Sequence, residues 1–269
     1  MTVYRSSTRG NPLATLMGVY FGVPTANVEA AATAEAAPAN AMTRAAPFMI
    51  PDRWTERQTA PFSADDTFDM FDNKNLPLAN PDVYVPADQA GYTGYNPIRD
   101  KGMALTIRAG TGNNIEPTMY YSWKEGDTSI GADWYRENII SGSPTKTVWN
   151  QQLIQEPGDM AGPTGQGIDG LIAQDPSAYW DASTNSVHSS MNPSPRIVVI
   201  PLYDPAYYAT GKANGRNADF KLANWLGFFV ERTQGRDVIG RIVPVTGVID
   251  PNAGPAPVNA FPRAIRLVQ

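Results

Sequence analysis

The clearest alternation of apolar and polar positions lies in the last third of the chain. Ile197–Ile200 is a short β-branched run of the kind that is buried on both faces of a sheet. Leu222–Glu231 and Asp237–Val245 are two further apolar stretches, on either side of Thr233-Gln234-Gly235. This pattern predicts a hairpin in which Gly235 supplies the positive φ of the loop.

The first arm of this hairpin also fits a helix, because several of its apolar side chains follow helical spacing. The segment is short and Gly227 interrupts it, so the strand interpretation is favoured. We therefore predict an α+β fold in a single domain, residues 1–269, with long Pro/Gly-rich loops. Its mixed or antiparallel central sheet would contain Arg196–Leu202 and both hairpin arms. The side chains expected in its core include Phe228, Phe229, Ile242 and Val243.

Residues 1–36 have the pattern of a strand, a helix and a second strand. Val3–Ser6 and Asn27–Ala36 are the predicted strands, and the second alternates small with polar residues. Between them, Asn11 is placed to cap a helix and Gly22 to end it. We expect this helix to pack on the central sheet. Its apolar stripe consists of Leu13, Leu16, Met17, Tyr20 and Phe21.

The same stretch also imitates a signal peptide, because Arg5 and Arg9 precede the apolar segment Pro12–Val23 and small residues follow it. The folded helix is the favoured interpretation, since an export signal needs neither the stripe nor the capping residues.

Residues 37–130 are rich in proline and are predicted to be mostly loops with short strands, whereas residues 131–269 hold helical segments and the C-terminal sheet core. Helices are predicted at Asp133–Ile140 and at residues 165–174, the second capped by Thr164 and ended by Pro176. The glycines of the second helix predict a close approach of another backbone, because glycine otherwise weakens a helix. The remaining extended segments are predicted at Val83–Val85, Met103–Arg108, Thr118–Trp123 and Val148–Ile154.

Composition narrows the classes of function. Of the 269 residues, 17% are charged and 24 are prolines, a surface chemistry that suits an extracytoplasmic protein. The net charge of −5 argues against a nucleic-acid partner. The absence of cysteine removes disulfides, thiol nucleophiles and structural zinc sites, and the single histidine, His188, rules out multi-histidine metal centres. No apolar run approaches the roughly 18 residues of a membrane helix.

Three local patterns could carry chemistry, and each has a simpler interpretation. Gly165–Gly170 satisfies G-x-G-x-x-G, but a turn precedes it where a dinucleotide fold needs a strand, so we expect no anion bound there. The acidic cluster Asp65, Asp66, Asp69 and Asp72 does not have calcium-loop spacing and is interpreted as a solvated face. His188 lies in a polar loop without a nucleophile elbow and is interpreted as a surface residue. No catalytic, cofactor-binding or metal-binding residue is predicted, and no cofactor.

The middle of the chain is rich in tyrosine and tryptophan. Exposed, they could bind carbohydrate or a partner protein; buried, they would belong to the core. The core interpretation is favoured, because aromatic residues commonly pack in strands. These residues are Tyr84, Tyr92, Tyr95, Tyr120, Tyr121 and Trp123.

Several segments, taken in order, resemble the extracytoplasmic region of Flp pilus-assembly TadE/TadG-like bacterial proteins. The resemblance covers most of the chain, from about Val3 to Val245, and its specificity lies in the joint order and spacing of the segments. They are Asn27–Ala36, Pro47–Trp54, Asp133–Ile139, Glu156–Met160 with Gly162–Thr164, Leu171–Pro176, Ser194–Ile197 with Leu202–Pro205, and Gly227–Glu231.

The resemblance implies a non-enzymatic protein of the cell envelope that supports tight-adherence pilus assembly or adhesion. Its partners would be other pilus-assembly or envelope proteins, and family members have a transmembrane helix that tethers the domain outside the cytoplasm. The competing hypotheses from the residues are a secreted hydrolase that uses His188 or a carboxylate pair, and a carbohydrate-binding module that uses exposed tyrosines.

The sequence departs from the family in two respects: it has no tethering helix, and it has no cysteines near Met42–Pro47. We expect it to be the soluble portion of a longer tethered protein, or a gene model begun too late. Contact with a membrane would then be made through that absent anchor.

Overall fold

The computed structural model describes residues 2–110, 114–124, 131–156, 158, 160–213 and 220–268. The chain divides into two units, of which the larger comprises residues 38–264 and the smaller comprises residues 1–37 and 265–269. The helices are α1 (Gly131–Ser141), α2 (Ala161–Gln174) and α3 (Pro205–Ala213). The strands are β1 (Thr2–Arg5), β2 (Leu13–Ala14), β3 (Thr25–Ala26), β4 (Val28–Ala31), β5 (Thr33–Pro38), β6 (Ala41–Met42), β7 (Phe48–Pro51), β8 (Ala104–Ala109), β9 (Met119–Lys124), β10 (Thr147–Val148), β11 (Gln152–Gln155), β12 (Tyr179–Asp181), β13 (Ser186–His188), β14 (Ile197–Tyr203), β15 (Phe220–Gln234), β16 (Asp237–Val243) and β17 (Arg263–Val268).

Six strands of the larger unit close into a barrel. Their order is β15, β14, β7, β9, β8 and β16, and β16 pairs again with β15. The pairs β14–β7 and β8–β9 are parallel and the other four are antiparallel, so the sheet is mixed. The fold is therefore a mixed α+β fold, as expected, but closure of its sheet into a barrel was not predicted.

The long strand β15 is the common element of two ladders. Its first part pairs with β14 and its last part with β16, and Gly227 and Phe229 have partners in both ladders. Gly227 fits here because a β-carbon at this position would lie 2.2 Å from the carbonyl oxygen of Val243. The predicted hairpin is confirmed: the φ of Gly235 is 63°, and the four predicted core side chains at 228, 229, 242 and 243 are buried.

Alternate residues of the barrel strands belong to two different apolar clusters. Phe48, Tyr120 and Phe228 lie in one cluster together with side chains of α1 and α2. Met49 and Tyr121 lie in the other, which also contains Trp225. Because neighbouring residues of a strand point to opposite faces, the barrel strands are buried on both sides.

Helices α1 and α2 pack closely through glycine. A β-carbon at Gly167 would lie 2.8 Å from the β-carbon of Ile139, and one at Gly170 would lie 2.8 Å from Ile140. A close approach is therefore present at Gly167 and Gly170, where the neighbours are side chains of α1, whereas nothing lies within 4 Å of a β-carbon at Gly165. The predicted cap is wrong, because α2 begins at Ala161 and Thr164 lies inside it, where its hydroxyl donates to the carbonyl of Met160.

The predicted N-terminal helix is wrong. Leu13–Ala14 and Thr25–Ala26 instead form a short antiparallel pair, and the segment between them contains a single 3-10 turn at Gly18–Phe21. Its stripe residues do not form a buried face: Leu16 is 92% exposed and Phe21 is 80% exposed. The predicted strands on either side are present in modified form, as β1 paired with β4 and as β5 paired with β17.

Several elements of the larger unit were not predicted, among them β7, β12, β13 and α3, and one predicted strand is absent. Phe48–Pro51 is a barrel strand, although its proline suggested a loop. Helix α3 follows β14, and the Asp204 carboxylate caps it by accepting the N–H of Tyr207 at 2.8 Å. Val83–Val85 forms only an isolated bridge, between Val83 and Thr55.

Candidate binding groove beside the barrel

A cleft of about 660 Å³ lies beside the barrel, between helix α1 and the start of β14. Its walls come from α1, Leu171 of α2, the segment 42–46, the loop before β14 with the start of that strand, and the residues after β16. Apolar side chains from each wall face the cleft, among them Met42, Ile139, Leu171, Val198 and Val245. This volume is within the range of roughly 300–1,000 Å³ that is typical of binding pockets in proteins.

A second depression, of about 680 Å³, runs along α1 from the first. Thr43, Arg44, Asn138 and Gly142 line both of them, so the two are adjacent. The second adds Trp134 and Glu137 of α1. We call the two together the α1 groove.

Asn138 lies in the wall that the two parts of the α1 groove share. Only 5% of it is exposed, and it sits on the buried face of α1 beside Tyr135 and Ile139. Its Nδ2 donates to the carbonyl of Trp134 at 2.8 Å, which fixes the orientation of the amide. Its Oδ1 accepts no hydrogen bond from any residue that the structure describes. A buried acceptor of this kind costs about 1–3 kcal/mol unless a donor reaches it.

Arg44, on the rim of the α1 groove, has a left-handed backbone conformation with a φ of 58°. A non-glycine residue in this region costs on the order of 1–3 kcal/mol, and such residues cluster at ligand-binding sites. Three contacts hold the segment in place. The Nε of Arg44 donates to the carbonyl of Ser141 at 2.9 Å, and the N–H of Ala46 donates to Val199 at 2.7 Å. The α-carbon of Arg44 lies so near Gly142 that a β-carbon there would be 2.8 Å away.

The α1 groove has few ionisable side chains. Arg44 and Glu137 are the only side chains with acid or base groups among the described residues that line it. The hydroxyl of Ser194, which also lines the cleft, donates to Asp175 at 2.6 Å. The same carboxylate oxygen also accepts the hydroxyl of Ser189 at 2.6 Å, so Asp175 joins two serines of the loop before β14.

A buried carboxylate, Asp52, organises the loops at another part of the larger unit. Its Oδ2 accepts the hydroxyls of Tyr92 at 2.7 Å and Tyr84 at 3.0 Å, and its Oδ1 accepts the N–H groups of Arg53 and Tyr95. Burial raises the pKa of Asp52 to about 6, although the hydrogen bonds oppose that shift. Tyr92 in turn accepts the amide of Asn224 at 2.9 Å, so this network joins the loops to β15. With four donors around it, Asp52 is a structural group.

The structure places the sequence-predicted candidates outside the α1 groove. His188 lies at the exposed end of β13, where its ring packs on Tyr179 at a centroid distance of 4.8 Å. It does not line the α1 groove. The acidic cluster at 65–72 forms turns, in which Asp66 accepts the hydroxyl of Thr59 and Asp72 accepts the N–H of Lys74.

The aromatic residues of the middle of the chain belong to the interior. Tyr95, Tyr120, Tyr121 and Trp123 are at most 4% exposed. Tyr84 and Tyr92 are half-buried and point their hydroxyls at Asp52. These rings do not form the solvent-facing row that the carbohydrate-binding hypothesis requires.

Sequence reasoning missed both Asn138 and Arg44. Asn138 could have been found, because a polar residue three positions after Tyr135 and one before Ile139 interrupts the apolar face of α1. Arg44 could not, since its position depends on a backbone conformation that Thr43-Arg44-Ala45 does not indicate.

The described part of the chain contains no group of three or more acidic or histidine side chains that could hold a metal ion, and none of its helices is long and apolar enough to cross a bilayer. The chain is therefore a mixed α+β protein with a closed six-stranded barrel and a lateral groove. Comparisons with protein families, with characterised proteins and with solved structures find no match for this chain.

Proposed function

We propose that this protein is a non-enzymatic component of the bacterial cell envelope that binds an extended segment of a partner protein in the α1 groove. The observation that carries the proposal is the buried Oδ1 of Asn138 in a groove with apolar walls. This oxygen has almost no accessible surface, so a backbone N–H of an extended segment becomes its donor when the adjoining wall of the groove moves aside. The alternate side chains of such a segment suit the apolar walls.

The rim of the α1 groove supports a peptide over a small apolar molecule. Arg44 and Glu137 place one positive and one negative group beside the apolar cleft, which suits a segment with polar residues at its ends. The left-handed backbone of Arg44 holds this rim in one conformation before a partner arrives, and a preformed rim lowers the entropy cost of binding.

The resemblance to TadE/TadG-like proteins supports a particular class of partner. We propose that the partner is another protein of tight-adherence pilus assembly or of the envelope, and that binding takes place outside the cytoplasm. In this role the protein acts by holding a partner segment, and it needs no catalytic group or cofactor.

Site-specific photo-crosslinking in the native bacterium tests this proposal. Thr43 is exposed and lines both parts of the α1 groove, so a benzoylphenylalanine at this position lies next to the bound segment. We expect a crosslinked adduct with a pilus-assembly protein. Ile98, which is 88% exposed and lines none of the clefts, is the control position and should give no such adduct.

A substitution of Asn138 tests whether the crosslinked adduct at position 43 depends on its Oδ1. Asn138→Leu keeps a side chain of similar size but removes Oδ1, and it should abolish the adduct at position 43. Two results would contradict the proposal: an adduct of equal yield in the Asn138→Leu background, or normal piliation in a strain that lacks the protein.

A further inference from the structure

The segment Leu13–Val23, which we call the tip loop, exposes an unusual amount of apolar surface. It begins with β2 and returns to β3, and the residues between these strands turn back on themselves. Single exposed apolar side chains are common on protein surfaces, but a contiguous group marks an interaction site. The exposed fractions are 92% for Leu16, 63% for Met17, 61% for Val19, 82% for Tyr20, 80% for Phe21 and 56% for Val23.

Several backbone polar groups of the tip loop are paired within the loop and with Pro24. The N–H of Thr15 donates to Pro24 at 3.0 Å, and the N–H of Val23 donates to Gly18 at 2.8 Å. The hydroxyl of Thr15 donates to the carbonyl of Val23 at 2.6 Å, and two further N–H groups, at Tyr20 and Gly22, have carbonyl partners inside the loop. Surrounding water does not require such pairing, whereas a hydrocarbon environment does, because it offers no hydrogen bonds.

Gly18 makes this closed conformation possible. A β-carbon at Gly18 would lie 2.1 Å from the carbonyl oxygen of Val23 and 2.2 Å from the hydroxyl of Thr15. Gly22 has a φ of 74°, which favours glycine. The two glycines therefore fold the loop so that its side chains point outward while its hydrogen bonds lie inside.

The charges around the tip loop identify what covers it. No charged side chain occurs between Gly10 and Val28, although the chain as a whole carries a net charge of −5. The nearest charges are those of Arg5 and Arg9 before the loop and of Glu29 after it, all exposed, so basic residues outnumber acidic ones beside the loop. Basic residues beside an apolar surface match the anionic headgroups of a bilayer, and a tyrosine among aliphatic side chains is typical of the membrane interface.

From these observations we infer that the tip loop inserts into the interfacial layer of an anionic lipid bilayer. The apolar side chains of Leu16, Tyr20 and Phe21 enter the boundary between headgroups and acyl chains, and Arg5 remains at headgroup level. This contact lies on the surface of the bilayer and does not span it. The inference is independent of the α1 groove and of pilus assembly, because lipid alone is the ligand.

Sedimentation of the purified chain with lipid vesicles tests the inference. We expect binding to vesicles of phosphatidylcholine with phosphatidylglycerol, and weaker binding to phosphatidylcholine alone. Leu16→Ser and Phe21→Ser should each lower the partition coefficient by about tenfold or more, because each removes a large apolar side chain from the lipid. Arg5→Gln should lower binding to the anionic vesicles by about fivefold. Ile98→Ser, at an equally exposed apolar position, is the matched control and should bind like wild type.

The absence of cysteine allows a direct measurement of insertion. A Tyr20→Cys variant labelled with an environment-sensitive dye should show a blue shift on anionic vesicles, and a labelled Ile98→Cys variant should not. Unchanged emission at position 20, or vesicle binding that survives both serine substitutions, would overturn the inference. So would a dimer in solution that the serine variants dissociate, with no binding to vesicles, because the loop would then be an interface between copies of the chain.

Discussion

The hydroxyl of Tyr92 donates to the carboxylate of Asp52 at 2.7 Å inside the larger unit. The same hydroxyl accepts the amide of Asn224, so its proton is committed to the carboxylate. This arrangement keeps Asp52 in place, but burial makes its ionisation unfavourable and raises the pKa to about 6 from an ordinary value of 3.8. Because ionising Asp52 is unfavourable in the folded protein, the free energy of unfolding should depend on pH.

We expect the free energy of unfolding to decrease between about pH 4 and pH 6 through this residue. Over that range the unfolded chain releases the Asp52 proton while the folded protein retains it, so the unfolded state is favoured as the pH rises. Ionisation of Asp52 should lower the free energy of unfolding by about 3 kcal/mol in total. This loss is complete above pH 6 and absent below pH 4. Urea unfolding of the wild type and Asp52→Asn at several pH values measures it.

The difference between these two proteins isolates Asp52 from other titrating groups. The pKa of Asp82 is also raised to about 6, with burial as the largest cause, and the variant retains this contribution. A wild-type stability curve that runs parallel to that of Asp52→Asn from pH 4 to pH 7 would contradict the prediction.

Two glycines of α2 should respond in opposite ways to the same substitution. Nothing lies within 4 Å of a β-carbon built at Gly165, so Gly165→Ala should stabilise the protein by up to about 1 kcal/mol through helix propensity. At Gly167 the added methyl group would meet Ile139, so Gly167→Ala should destabilise by about 1–3 kcal/mol. Thermal unfolding of both variants makes the comparison, and equal effects would mean that α1 and α2 are not in close contact.

Arg196 should not tolerate replacement by lysine. Only 4% of it is exposed, and its guanidinium donates to the carbonyl groups of Asp175, Ala178, Val230 and Glu231. An ammonium group cannot reproduce this planar set, so Arg196→Lys should cost about 2–4 kcal/mol. Chemical unfolding measures the loss. Arg232→Lys, on the exposed surface of β15, is the control and should change the free energy of unfolding by no more than about 0.5 kcal/mol.

If Asn138 serves binding, its replacement by leucine should weaken binding of the partner and increase the stability of the protein. Asn138→Leu removes an unpaired buried acceptor and improves helix propensity, so it should raise the free energy of unfolding by about 1 kcal/mol. A stable variant that no longer binds its partner would show that Asn138 serves binding. If the substitution destabilises the protein strongly, Asn138 is part of the folded framework, and its role in the α1 groove loses its support.

The parts of the fold that the sequence predicted are those set by local patterns. The hairpin of β15 and β16 was predictable because both arms and Gly235 are adjacent in the chain. The end of α2 was predictable because Pro176 restricts the residue before it. Helix α3 had a readable signal as well, since Asp204-Pro205 provides a cap followed by a first-turn proline.

The errors arose where distant pairing or side-chain hydrogen bonds decide the structure. The stripe from Leu13 to Phe21 has helical spacing, yet Thr15 bonds with Val23 and Pro24 and closes the segment as a loop. Strand β7 ends in a proline, and its partners β14 and β9 lie far away in sequence. The α1 groove forms between such distant elements, so Arg44 carried no local signal.

Closure of the barrel also fixes the order in which the chain can fold. The seam that completes the ring pairs Ile107 of β8 with Val238 of β16, so its two sides are made at very different times during synthesis. Strands β7, β8 and β9 are synthesised first. Their partners in the ring, β14 for β7 and β16 for β8, are synthesised much later. A nascent chain therefore presents unpaired strand edges until β16 emerges, and contacts of such long range are slow to form. The step that completes the barrel therefore waits for the synthesis of β16.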